Sequence, residues 1–157
     1  MKPRVYIEST VISYLAARPS RDLLVRAHQQ VTRQWWEKRR ADFDLHISQV
    51  VSQEISAGDP EAARERLEVV QGLPVLDVTD EAKRLAKLLL TEGPLPQAAA
   101  DDALHIAVAT VHQMKYLVTW NCAHLANAEI LVGVNRILEE EGYVPPVVCI
   151  PEELMGV

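Results

Sequence analysis

The chain has 157 residues, a formal charge of −6 and 48% hydrophobic residues, enough for one ordinary domain with its own core and no need of staples. A pI of about 5.3 excludes a basic nucleic-acid coat, while a local basic patch stays compatible with it. Cys122 and Cys149 match no metal or redox spacing and read as free thiols of a reducing compartment; no stretch is long and apolar enough to span a bilayer, and Glu8 interrupts the apolar run after Lys2 and Arg4, which speaks against a signal peptide. The expectation is a cytoplasmic protein with no membrane partner.

In chain order, Arg4 to Ile7 reads as a strand, followed by Glu8-Ser9-Thr10 and a helix over Val11 to Ala17 that Ser9 or Thr10 can cap. Ser20 opens a long helix to about Arg40, in which Trp35 and Trp36 are packing anchors and Lys38 to Arg40 a solvated basic turn. Phe43 to Ile47 is the second strand, leading directly into a helix from Ser48 to Ile55 that Ala57-Gly58 ends. Asp59-Pro60 starts another helix, Val75 to Val78 gives a third strand, Thr79 to Thr91 a helix, and Gly93-Pro-Leu-Pro96 a loop. The helix opened by Asp101 and Asp102 feeds Tyr116 to Thr119, a short apolar run read as a buried strand. A helix from Ile130 to Glu141 and a last strand over Pro145 to Ile150 complete the chain, the strand at an edge because proline cannot donate to a sheet ladder. Strands alternating with helices make this a single α/β domain over residues 1–157 with a largely parallel sheet of four to five strands.

Acids fall where such a sheet opens into a crevice. Glu8 ends the first strand and is equally readable as a surface carboxylate. Glu54 lies inside the apolar arc of its helix, among Val50, Val51 and Ile55. A carboxylate buried there needs a cation, a metal or a strong hydrogen-bond partner, the structural alternative being an arginine. Asp101 fits a helix-dipole role, whereas Asp102 shares its side of the helix with Ile106, Ala109 and Gln113 and so also needs a partner. Asn121 follows the strand that this helix feeds, and alone it reads as a cap for the residues after it. His105, three residues after Asp102, reads as a satisfied packing residue rather than a ligand, and His28, His46, His112 and His124 form no ligand spacing. Clustered carboxylates need a neutralising cation, and hard oxygen donors without a cysteine or histidine set suit Mg²⁺ or Mn²⁺ better than Zn²⁺.

Four stretches, Val5 to Tyr14, Ser48 to Ile55, Asp102 to Ala107 and Leu117 to Leu125, occur in an order and spacing that resemble the PIN-domain ribonucleases, specifically the VapC-type toxins of toxin-antitoxin pairs. The resemblance implies a PIN-like α/β/α sandwich and a metal-dependent endoribonuclease. It puts Glu8, Glu54 and Asp102 at the first three acidic positions, holding Mg²⁺ or Mn²⁺, and Asn121 at the fourth, with Thr10 and Thr119 as supporting hydroxyls. It further implies an RNA substrate, a homodimer and a small cognate antitoxin. Two departures stand out: the family's first acid is usually aspartate, where this chain has Glu8, and its fourth position often is, where this chain has the uncharged Asn121. Both weaken Mg²⁺ binding and sustain an alternative, a PIN-fold RNA- or protein-binding module without catalysis.

Overall fold

The computed structural model describes residues 1–157. Strands β1 (Arg4–Ile7), β2 (Asp44–Ser48), β3 (Val75–Leu76), β4 (Tyr116–Val118) and β5 (Val147–Cys149) form one sheet in the order β3-β2-β1-β4-β5, every pair parallel. Seven helices connect them: α1 (Ser9–Ala16), α2 (Leu23–Arg39), α3 (Gln49–Ile55), α4 (Pro60–Val69), α5 (Asp80–Glu92), α6 (Ala100–Val111) and α7 (Ala128–Glu140). β1 is central, and Val5, Tyr6 and Ile7 are fully buried in it. The chain first winds outward through β2 to β3, then returns to β4 on the other side of β1. Right-handed crossovers therefore put the early helices on one face and the late ones on the other, consistent with α1 packing on α2 and α4 while α5 packs on α6.

Local chemistry sets the element ends. The side chains of Asp22, Ser48, Asp59, Thr79 and Asn127 each accept a backbone N–H of the first turn that they cap, and Pro60 occupies the first turn of α4. Trp35 is fully buried, Trp36 is half-buried, and the Arg40 guanidinium stacks over the Trp36 ring, as a packing helix with a basic last turn requires. Several boundaries differ from expectation. α1 begins at Ser9, so neither Ser9 nor Thr10 caps it, and both hydroxyls donate to acids instead. The long helix begins at Leu23 because Asp22, not Ser20, supplies the cap. β3 ends at Leu76, since the next residues turn away and the Val78 N–H donates to the Gln49 side chain instead of a ladder. β5 holds only Val147–Cys149, an edge strand as anticipated, with both prolines left outside it.

This winding places the reversal of strand order between β1 and β4. In open parallel sheets the crevice at that point, beyond the carboxyl ends of the strands, is where ligands bind. Glu8 follows β1 there and Thr119 follows β4.

Candidate metal centre

Glu8 stands between β1 and α1 and is 4% exposed. Its Oε1 accepts from Thr10 Oγ1 at 2.5 Å and from Thr119 Oγ1 at 2.6 Å. Each hydroxyl in turn accepts a backbone N–H, Thr10 from Trp120 at 2.9 Å and Thr119 from Asn121 at 2.9 Å. The N–H groups occupy the lone pairs of the hydroxyls and direct both protons at the carboxylate, so one Glu8 oxygen is fixed and the other carries no protein hydrogen bond.

Glu54, in the last turn of α3, reaches the same place. Its Oε1 accepts from Ser9 Oγ at 2.5 Å and pairs with His105 Nε2 at 2.7 Å, and again the second oxygen has no protein partner. His105 is fully buried in α6, and its Nδ1 lies 2.6 Å from the Tyr6 hydroxyl, which lies 2.7 Å from Ser48 Oγ. Burial alone would lower the His105 pKa, but the Glu54 hydrogen bond and the charges of Glu8, Glu54 and Asp102 outweigh it and leave the value raised. Burial likewise pushes Glu54 up, and the bond and charge of His105 with the Ser9 bond reverse this, leaving Glu54 below its ordinary value. Both shifts favour the charged form of each partner. Burial chiefly raises the Tyr6 pKa, so its hydroxyl stays protonated and bridges His105 Nδ1 and Ser48 Oγ.

Asp102 lies in the first turn of α6, where Oδ1 accepts from Asn121 Nδ2 at 3.1 Å and Oδ2 pairs with His124 Nδ1 at 3.0 Å. Asn121 Oδ1 accepts the His124 backbone N–H at 3.0 Å. Asn121 therefore caps the turn after it, as its position suggested, while its amide N–H₂ positions Asp102; its carbonyl oxygen is already used. Asp101 is exposed and makes no side-chain hydrogen bond.

The structure brings Glu8 and Glu54 together, with Thr10 and Thr119 beneath Glu8. Ligand atoms of Glu8, Glu54 and His105 all lie within 4.8 Å of one another, a grouping that could hold a metal ion. Asp102 stands outside that group and connects to it through Asn121 and Thr119. Sequence reasoning set His105 aside as a packing residue, took Ser9 as a helix cap, found no ligand spacing at His124 and did not consider Tyr6. A strand's alternation puts Tyr6 on the face of Glu8, a signal that singles it out. No Lys or Arg forms an ion pair with Glu8, Glu54 or Asp102, so the arginine alternative for Glu54 does not occur. The donor set fits a hard divalent cation: two carboxylates each keep an oxygen free, and the imidazole nitrogen nearest them is committed to Glu54.

No family model and no curated protein matches the sequence. Solved structures do. A chain of VapBC2 from Rickettsia felis, in a complex bound to a DNA fragment from their promoter, superposes with a TM-score of 0.56 at 13% identity, covering 94% of this chain and 98% of that one. VapC20 of Mycobacterium tuberculosis, a toxin that cleaves the sarcin-ricin loop, superposes with a TM-score of 0.60 at 13% identity, covering 89% and 96%. The chain has the PIN-like fold of the VapC toxins. The likeness runs nearly the length of both chains.

Proposed function

We propose that the protein is a metal-dependent endoribonuclease of the VapC type, the toxin of a toxin-antitoxin pair, acting in the cytoplasm as a homodimer. The observation that carries this reading is the meeting of Glu8 and Glu54 from distant segments, with Asp102 linked to Glu8 through Asn121 and Thr119 and no Lys or Arg paired to any of the three. Neutralising that charge is the natural task of a divalent cation. Glu8 and Glu54 would hold Mg²⁺ or Mn²⁺ through their free oxygens, with Asp102 completing the acidic wall.

A bound divalent ion would supply a nucleophilic water and offset charge on the phosphoryl oxygens. Thr10 and Thr119 hold Glu8 in one rotamer, Ser9 and His105 hold Glu54, and Asn121 and His124 hold Asp102. Each acid is thus fixed before substrate arrives, the preorganisation on which electrostatic catalysis depends. A small antitoxin whose basic side chain enters the crevice would block it by substituting its charge for the ion's.

Incubation of the purified protein with structured RNA and Mn²⁺ tests the reading. Cleavage by the parent and its loss in Asp102→Ala are expected, and equal cleavage by both would refute this assignment of the site. The Glu54–His105 pairing favours a second reading, a binding module whose acids are already satisfied internally. Such a module would cut no RNA with either metal.

A further inference from the structure

Beside the acids lies a group of rings that the acidic chemistry does not use. Trp120 sits between Thr119 and Asn121, both of which serve the site, and its backbone N–H orients Thr10. Its indole is stacked by His28 of α2, with ring centroids 4.1 Å apart and planes at 12°. Tyr14 of α1 closes the group, 6.2 Å from Trp120 and 6.5 Å from His28.

Trp120 is an inner wall of this group. It is 9% exposed, and its Nε1 donates to Thr32 at 2.7 Å. His28 and Tyr14 are only half-buried, and neither the His28 ring nitrogens nor the Tyr14 hydroxyl has a protein hydrogen bond. Leu24, one turn before His28 on α2, is 67% exposed. An open apolar margin therefore borders rings whose polar edges are unused. Arg18, Arg21 and Arg26, in the loop before α2 and its first turn, are exposed and form no ion pair.

We propose that His28 and Tyr14, backed by Trp120, form a stacking ledge for a nucleobase of a single-stranded RNA segment, next to the phosphate presented to the acids. A base offers a flat face for the rings and a polar edge for the free His28 and Tyr14 atoms, and base–aromatic stacking tolerates any sequence. The exposed arginines supply positive charge for the flanking phosphates on a chain that is otherwise acidic. The ledge rests on the ribonuclease reading, because it gives the strand its position relative to Glu8, Glu54 and Asp102.

Fluorescence anisotropy with the intact protein tests it, using a labelled short oligoadenylate and a ribose-phosphate strand of equal length without bases. The parent should bind the oligoadenylate about tenfold more tightly than the baseless strand. His28→Ala should lose most of that preference yet keep the affinity for the baseless strand, and His28→Phe, which retains a stacking plane, should restore it. Thermal melting of each variant separates loss of the ledge from loss of fold. An undiminished preference in a folded His28→Ala, or equal binding of both strands by the parent, overturns the ledge. Cleavage of structured RNA by the parent with Mn²⁺ then tells whether the ribonuclease reading survives without it; no cleavage together with no RNA binding overturns both.

Discussion

The two ends of this sheet are built from the same strands and differ in almost everything else. At the carboxyl end, between β1 and β4, the acids are buried or half-buried and each is held: Glu8 by two threonines, Glu54 by Ser9 and His105, Asp102 by Asn121 and His124. At the amino end lies a groove lined by Met114, Lys115, Tyr143, Val144, Pro145 and Val147. There the backbone is locked by Arg4 Nη1 donating to the His112 carbonyl at 2.7 Å, and Val144 stands 84% exposed. A groove alone therefore says little. What distinguishes the carboxyl end is acceptors held in place with lone pairs to spare, a costly arrangement that folding alone does not require.

The largest expected contrast is in activity. Glu54→Gln keeps an acceptor for His105 and Ser9 but removes a charge, and it should lower RNA cleavage by about 10² or more, several kcal/mol of transition-state stabilisation. Val144→Ser at the opposite end should leave cleavage within about twofold. Parallel rates for the two would erase the distinction.

Next in size is the stability carried by the buried pair. His105→Asn should destabilise the fold by about 2 kcal/mol in urea titrations, discounted because the Glu54 side chain is 32% exposed. The sign of its pH dependence follows from the two shifts. His105 is raised above its ordinary 6.5, so its contribution is full below that value and is lost as pH rises through the raised one. Glu54 is lowered below its ordinary 4.5, so its contribution is full above that value and is lost as pH falls through the lowered one. The parent should hold the pair's full stabilisation between about pH 4.5 and 6.5 and decline on both sides, and His105→Asn should flatten the alkaline decline. An unchanged alkaline limb would dissociate His105 from it.

Tyr6→Phe removes the hydroxyl between His105 and Ser48 and leaves a buried imidazole nitrogen without its partner, at a cost of about 1–3 kcal/mol. The smallest change belongs to the far end. Gln113 has a φ of 59°, a left-handed conformation that glycine adopts freely, so Gln113→Gly should raise stability by at most about 1 kcal/mol without altering cleavage.

The sequence made Glu54 conspicuous because a charge inside an apolar helical arc violates the pattern of its own element, and the strand-helix alternation was enough to place Glu8 and Asn121 at strand ends. His105 was set aside as packing for the opposite reason. A histidine on a mostly apolar helix violates nothing, and its role arises only when the winding of the sheet lays α6 across β1, joining residues separated by 99 positions. Asn121 was half legible: capping is a local property and showed in the sequence, while its grip on Asp102 is a tertiary contact. The strand limit at Leu76 was likewise decided by a competing partner elsewhere in the fold.

Isothermal titration of the apoprotein with Mn²⁺ tests the central claim, that the free oxygens of Glu8 and Glu54 await a divalent cation. The account predicts saturable binding by the parent, strongly weakened in a folded Glu54→Gln and unchanged in Val144→Ser. No saturable binding by the parent, or the same affinity in Glu54→Gln, would contradict it.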